Sequence, residues 1–118
     1  MDTASPTSLL CRLEQIPDGG VTAVEDVAAL DGESVIVERH GDRVRAWLNV
    51  CPHAGRRLDY APGRFLLKDE LLICAVHGAS FHRGDGVCVA GPCRGERLRA
   101  LAVRVEGDAV WLVPCDRP

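Results

Sequence analysis

The chain has 118 residues, of which 47% are hydrophobic and 26% are charged, and its formal net charge is -3. This length fits one compact domain, and this composition excludes a disordered chain. Acidic and basic residues are interleaved without a basic block, so we expect neither a nucleic-acid partner nor an anionic membrane surface. No apolar run approaches the roughly 18 residues that a bilayer span requires.

The amino terminus lacks the positive and apolar stretches of a signal peptide, which predicts a cytoplasmic protein. Residues 1–7 are expected to form a flexible tail, and residues 8–118 a single domain. The chain contains six cysteines. Because cytoplasmic thiols stay reduced, these cysteines indicate metal or redox chemistry rather than disulfides.

Short apolar runs between frequent Gly, Pro and Asp turn signals predict strands along the whole chain. In chain order they cover residues 8–13, 21–25, 34–39, 43–50, 70–74, 79–82, 99–106 and 109–114. Polar and apolar residues alternate in 44–50 and 101–106, as in half-buried strands, and Gly107-Asp108 predicts a tight hairpin. A helix is an alternative to a strand only over residues 24–30, and this segment is too short to form a stable helix by itself. The fold class is therefore all-β, with about eight short antiparallel strands.

Two segments combine cysteine and histidine at short spacing. The first contains Cys51-Pro52-His53 and the second contains Cys74-Ala75-Val76-His77, with residues 54–73 between the pairs. Each pair follows a predicted strand and precedes a glycine, so both can project from loop tips toward one point. Two Cys and two His can bind either a tetrahedral zinc ion or a [2Fe–2S] cluster in which two His replace two Cys.

The residues around these ligands favour the cluster. Bridging sulfides need backbone N–H donors close by, and glycines beside the ligands, Gly55 and Gly78, allow that approach. Pro52 fixes φ between the first two ligands and stiffens that loop.

The motif Cys51-Pro52-His53-Ala54-Gly55 with Leu58, and the segment from Cys74 to Phe81, resemble the Rieske iron–sulfur proteins, in particular the soluble Rieske-type ferredoxins. The resemblance implies small antiparallel sheets with two cluster-binding loops and one [2Fe–2S] cluster per chain. It implies that Cys51 and Cys74 bind the inner iron, and that His53 and His77 bind the outer iron. A third loop, Gly84-Asp85-Gly86 to Gly91-Pro92, would pack a proline over the cluster. The residues expected around the cluster are Pro52, Gly55, Gly78, Ser80, Gly91 and Pro92.

Three departures from the family pattern are informative. The spacing between the ligand pairs is a few residues longer than usual, which predicts a larger turn around residues 61–64. Neither ligand loop has the extra cysteine that forms a disulfide across the cluster in high-potential members. Ala79 and Phe81 replace the hydroxyl donors of those members, so we expect a potential in the low part of the Rieske range of roughly −150 to +300 mV.

The resemblance implies a one-electron carrier with no catalysis and no small-molecule substrate of its own. Its partners would be a flavin-dependent NAD(P)H reductase and an oxygenase or similar acceptor. Two alternatives stay open: a zinc-binding structural or interaction module, and a subunit that docks permanently on a reductase. Cys11, Cys88, Cys93 and Cys115 are predicted to be thiols without a redox role. Arg56 and Arg57 either bind an acidic partner or are solvated.

Overall fold

The computed structural model describes residues 8–52, 55–75 and 78–113, and within them the regular structure consists of short strands and two 3-10 turns. The strands are β1 (Ser8–Arg12), β2 (Val21–Val27), β3 (Glu33–His40), β4 (Arg43–Leu48), β5 (Leu66–Lys68), β6 (Leu71–Ile73), β7 (Ser80–His82), β8 (Cys88–Ala90), β9 (Ala100–Leu101), β10 (Val103–Glu106) and β11 (Ala109–Leu112). They form three antiparallel sheets, which confirms the all-β prediction. No helix in these ranges is long and apolar enough to cross a bilayer.

Two of the sheets form a base region, which we define as residues 8–48 and 99–113. Their strand orders are β1-β11-β10 and β2-β3-β4-β9. Their strands pack an aliphatic core built largely of Val and Leu, including Leu10, Val35, Val110 and Leu112. Burial of β-branched and aliphatic side chains on pleated surfaces stabilises these strands.

The third sheet, with strand order β5-β6-β7-β8, belongs to a loop region, which we define as residues 49–98. Each of its four strands has only three residues. The loops between them therefore make up most of this region. Its core combines Phe81, Leu58, Leu72 and Leu98 with buried cysteines.

Strand β3 separates the two cores because it is buried on both faces from Ser34 to Glu38. Val35 and Val37 point into the core of the base region, whereas Ile36 packs with the core of the loop region. Ser34 and Glu38 lie on the same face of the strand as Ile36, because alternate residues of a strand face the same side. One face of β3 thus carries the side chains that meet the loop region.

Most predicted strands are confirmed, with boundaries shifted by a few residues. The hairpin at Gly107-Asp108 is present, with Glu106 paired to Ala109 across it. Residues 24–30, where helix competes in the sequence, continue β2 and end in a 3-10 turn at Ala28–Leu30. The tail at residues 1–7 lies outside the described residues.

Two predictions about the strands are wrong. Residues 99–106 are not one strand, because β9 pairs with β4 while β10 pairs with β11. The chain changes sheets at Ala102, whose carbonyl accepts a hydrogen bond from the Val113 amide at 2.9 Å. The prediction of about eight strands also misses β5 and β8, which have three residues each.

Candidate metal centre

The first ligand loop follows β4 and begins at Asn49, whose side chain is buried between the two regions. Asn49 Nδ2 donates a hydrogen bond to Ser34 Oγ on β3 at 3.2 Å. Asn49 Oδ1 accepts one from the Leu58 amide at 2.9 Å. A buried amide group must keep its hydrogen bonds. This one side chain therefore holds both ends of the loop against the base region.

Both ligand loops are closed by the same pair of backbone hydrogen bonds. In each, the cysteine amide donates to the carbonyl of the residue after the glycine, and the glycine amide donates back to the cysteine carbonyl. These bonds run from Cys51 to Arg56 at 2.7 Å and from Gly55 to Cys51 at 2.8 Å in the first loop, and from Cys74 to Ala79 at 2.8 Å and from Gly78 to Cys74 at 2.9 Å in the second. Two segments far apart in the sequence thus have the same pattern of turn hydrogen bonds, each with its cysteine at the start.

The backbone conformation of this turn explains why each loop contains a glycine. Gly55 and Gly78 have φ of +67° and +75°, a left-handed conformation that side-chain-bearing residues rarely adopt. A Cβ at either position would meet nothing within 4 Å, so backbone conformation rather than space requires glycine. Their own amides close the loops, because each is bonded to the cysteine carbonyl.

The two loops meet through a backbone hydrogen bond from the Ala75 amide to the Leu58 carbonyl at 3.0 Å. Cys51 and Cys74 are each 1% exposed and belong to the same buried core. The structure therefore brings the two predicted cysteine ligands together. The two predicted histidine ligands, His53 and His77, lie outside the described residues.

The third loop packs directly against the second ligand loop. Gly91 has φ of +100°, and a Cβ there would lie 2.8 Å from the Ala79 Cα. Pro92 follows at the surface, and Pro52 is half-buried beside Cys51. The Ser80 hydroxyl donates to the Gly78 carbonyl at 3.3 Å, so it supports the backbone of the second loop.

Sequence reasoning missed an ion network that ties the first loop to the base region. The Arg57 guanidinium donates to Glu25 Oε1 at 2.6 Å and Oε2 at 2.7 Å, in a bidentate pair. It also donates to Asp59 at 3.0 and 2.7 Å, and Asp59 accepts a further bond from the Gly63 amide at 3.1 Å. Arg57 is exposed, as Arg56 is, but its guanidinium is held by ion pairs with Glu25 and Asp59 of the same chain.

This network perturbs both carboxylates. Hydrogen bonds from Arg57 lower the pKa of Glu25 below its ordinary value. Burial alone would raise the pKa of Asp59, but hydrogen bonds from Arg57 and the Gly63 amide outweigh it and lower that pKa. Asp59 supports a turn at residues 61–64, in which the Arg64 amide donates to the Ala61 carbonyl at 2.8 Å.

Two further thiols share the buried core that contains Cys51. Cys93 Sγ donates to Cys88 Sγ at 3.2 Å, and Cys88 Sγ donates to the Ala90 carbonyl at 3.2 Å. Burial, with Cys88 and Cys51 nearby, raises the pKa of Cys93 to about 12. Cys11 is half-buried in the base region, where burial raises its pKa. Cys115 lies outside the described residues.

These observations fit a metal centre with sulfur ligands on its buried side. Two thiols shielded from water start two matched turns in one apolar core. Such thiolates bind soft or borderline metals, and with two imidazoles they form the donor set of a [2Fe–2S] cluster or of a zinc ion.

Comparison with known proteins distinguishes these two centres. Residues 7–112 match the family described as the Rieske [2Fe-2S] domain. The ferredoxin component of the alkene monooxygenase system of Xanthobacter autotrophicus (strain ATCC BAA-1158 / Py2) is 28% identical over 105 residues, which cover 87% of this chain and 77% of that protein. No comparison supports a zinc site.

Solved structures that share the fold include two from carbazole 1,9a-dioxygenase systems. The ferredoxin of carbazole 1,9a-dioxygenase from Nocardioides aromaticivorans IC177 superposes with a TM-score of 0.72 and 34% identity, over 93% of this chain and 99% of that chain. A structure described as the complex of reduced oxygenase and oxidized ferredoxin in carbazole 1,9a-dioxygenase matches with a TM-score of 0.70 and 23% identity, over 90% of this chain and 91% of that chain. At that identity, the second match bears on the fold alone.

Proposed function

The chain belongs to the Rieske [2Fe–2S] domain family, and we propose that it holds its cluster through Cys51, His53, Cys74 and His77 and carries single electrons between two enzymes. When bound, the cluster accepts and releases one electron. Cys51 and Cys74 are buried, so they would hold the iron that lies farther from solvent. The two histidines would hold the other iron and would offer the route by which electrons leave.

One observation supports this ligand assignment above all others. Cys51 and Cys74 start turns with the same hydrogen-bond closure and the same left-handed glycine, in one shared core. In the sequence, each histidine lies inside its turn, two residues after Cys51 and three after Cys74. We therefore propose that each turn supplies one thiolate and one imidazole.

The partners follow from the relatives. One is a ferredoxin component of an alkene monooxygenase system, and another is the ferredoxin of a carbazole dioxygenase. We propose that this chain likewise delivers electrons to an oxygenase, and that a flavin-dependent NAD(P)H reductase supplies them. The chain itself is the electron-transfer component and not the catalyst.

We also propose a potential in the low part of the range of roughly −150 to +300 mV. Ala79 and Phe81 are fully buried beside the second ligand loop and offer no side-chain donor. Hydrogen bonds to cluster sulfur stabilise the reduced, more negative state, so fewer of them lower the potential. A midpoint potential above about +200 mV would contradict this proposal.

Two further proposals concern organisation. Residues 8–118 form a single domain, supported by the Asn49 and Arg57 contacts that join the two regions. We also propose that the protein is cytoplasmic, because its six cysteines would stay reduced in that compartment.

The ligand assignment is tested on protein purified without added metal. We expect about two irons and two sulfides per chain, and an EPR signal that appears only after reduction with dithionite. Replacing His77 with Ala should abolish this signal, whereas the matched replacement of His82, which bonds the Gly84 amide at 3.1 Å, should leave it intact. A colourless protein with one zinc would refute the proposed function.

A further inference from the structure

The two regions of the chain carry opposite net charges. The loop region has seven basic and five acidic residues, whereas the base region has six basic and ten acidic residues. Their formal net charges are therefore +2 and -4, although the whole chain has a net charge of -3. A partner that meets only the loop region thus faces charge of the opposite sign to that of the whole chain.

Most acidic residues of the loop region lie away from the ligand loops. Strand β6 ends at Ile73, directly before Cys74, so its first residue, Leu71, lies at the end of the sheet away from the ligand loops. The turn before Leu71 and the turn after β7 meet at that end, because Leu71 pairs with His82. Three of the five acidic residues lie in these two turns: Asp69, Glu70 and Asp85.

The opposite end of the loop region, which we call the ligand end, consists of residues 55–66, 78–80 and 90–94. Three exposed arginines lie there: Arg56 in the first ligand loop, Arg64 in the turn at residues 61–64, and Arg94 in the third loop. Among the residues that the structure describes, none of the three has an ion-pair partner. The one carboxylate of the ligand end, Asp59, is already held by Arg57. The three positive charges are therefore available to a partner.

Backbone contacts hold two of these arginines next to the ligand loops. The Arg56 carbonyl accepts the hydrogen bond from the Cys51 amide at 2.7 Å that closes the first loop. The Arg94 amide donates to the Gly91 carbonyl at 3.2 Å, and Gly91 packs closely against Ala79 of the second loop. Their charges therefore flank the loops that carry the proposed cluster ligands.

The same end has the composition of a protein-binding surface. Tyr60 and Leu66, on either side of Arg64 in the sequence, are 56% and 44% exposed. The ligand end contains no lysine and no glutamate. Protein interfaces are enriched in aromatic residues and arginine and depleted of lysine and glutamate. This composition favours a protein partner, and the acidic base region would repel a long nucleic acid.

We propose that the ligand end is a docking surface for an acidic patch on the oxygenase that accepts the electron, and that Arg56, Arg64 and Arg94 bind carboxylates of that patch. This inference rests on the proposed function, because it takes the chain as a carrier that delivers electrons to an oxygenase. Arginine suits this role because its planar guanidinium binds a carboxylate through two parallel hydrogen bonds.

Charge also explains why the acidic partner is the acceptor and not the reductase. The reduced cluster carries one more negative charge than the oxidised cluster. An acidic patch beside it disfavours the reduced state and promotes release of the electron. The same patch on a reductase would oppose uptake of the electron.

The first test measures binding of poly-L-glutamate to the holoprotein by calorimetry. We expect binding that weakens as the salt concentration rises. Arg56→Gln and Arg94→Gln should each weaken it about twofold to fivefold. The matched control is Arg43→Gln, which removes an exposed arginine at the far end of β4 from the first ligand loop and should change nothing.

Three outcomes of this experiment would overturn the docking surface. They are no binding of poly-L-glutamate, an equal loss of affinity in Arg43→Gln, and tighter binding of a single-stranded oligonucleotide of the same charge, which would assign the surface to nucleic acid. Binding of poly-L-glutamate does not require the cluster. A protein without a cluster would refute the proposed function, whereas a cluster-containing protein that does not bind poly-L-glutamate would refute this inference alone.

The second test uses the cluster to report the charge around it. Oxidation of the reduced holoprotein by the anion ferricyanide should slow as ionic strength rises, because the ligand end attracts anions. The net charge of the whole chain predicts the opposite trend, and that trend would overturn the inference. Bound poly-L-glutamate should make the midpoint potential more negative. An unchanged or raised potential would refute the assignment to the acceptor.

Discussion

The base region and the loop region are stabilised in different ways. In the base region, β3 and β4 have eight and six residues, and the core is almost entirely aliphatic. In the loop region, each strand has three residues, and four of the eleven core residues are cysteines. Aliphatic burial over long strands stabilises a sheet without any cofactor. A core rich in thiols among short strands contributes much less to the stability of its sheet.

The loop region depends on polar contacts with the base region to compensate for its small core. Ser34 on β3 meets Asn49, and Glu38 on β3 meets Arg83 just after β7. Glu25, beside the irregularity of β2 where Asp26 has φ of +51°, meets Arg57. The cluster would be the remaining cross-link, because metal binding contributes directly to folding.

The largest expected effect therefore comes from removing the cluster. In Cys51→Ser, we expect amide hydrogen exchange to accelerate across β5–β8, while β3, β4, β10 and β11 keep their protection. Local opening follows local stability, and the base core does not include Cys51 or Cys74, the two proposed cysteine ligands. Native-state exchange measured by mass spectrometry checks this.

The matched control is Cys11→Ser, which removes a thiol from the base region instead. It should keep the cluster and the protection of β5–β8. Equal loss of protection in both regions of Cys51→Ser would show that they unfold as one unit and would contradict the comparison.

The sequence predicts the short-range features of the loop region better than the long-range contacts between the two regions. The ligand loops are readable because Cys, His and Gly occur at fixed short spacing, and the turn depends on only six residues. The contact between Arg57 and Glu25 spans 32 positions and depends on the irregularity in β2, for which the sequence carries no signal. The split at Ala102 is equally invisible, because alternation runs unbroken through it while the pairing partner changes.

A second effect should come from breaking the buried pair of Arg83 and Glu38, which are 7% and 1% exposed. Arg83→Met leaves the Glu38 carboxylate buried with only the more exposed His40 and Arg45 as partners. Removing one member of a buried pair costs about 3 kcal/mol of the free energy of unfolding, at the lower end for such pairs. Urea denaturation of the holoprotein measures it.

The matched control for Arg83 is Arg104, whose pair with Glu106 is exposed on β10. Arg104→Met should cost no more than about 0.5 kcal/mol. If both variants lose the same free energy of unfolding, the buried contact between β3 and the loop region contributes no more to stability than an exposed ion pair does.

A third prediction concerns Gly91 and Gly95, which have similar φ values of +100° and +95°. A Cβ at Gly91 would lie 2.8 Å from the Ala79 Cα, whereas a Cβ at Gly95 would meet nothing within 4 Å. Gly95→Ala should therefore cost only the backbone strain, about 1 kcal/mol. Gly91→Ala should cost about 2 kcal/mol and also alter the EPR line shape by displacing the third loop. Similar stabilities and spectra for the two variants would contradict this close packing.

The smallest effect should be the pH dependence that Glu25 and Asp59 produce through Arg57. The folded-state pKa of each carboxyl group is lowered, so the unfolded chain takes up protons first as the pH falls. The stabilisation is fully present above the unfolded pKa of about 4 and is lost as the pH falls through the folded pKa. Because Glu25 and Arg57 are partly exposed, we expect Arg57→Gln to cost only about 1 kcal/mol at neutral pH. This variant should also show a flatter loss of stability between pH 5 and pH 3 than the wild type, as judged by urea midpoints across about that range. A parallel pH profile in both proteins would mean that the network does not hold the first ligand loop to the base region.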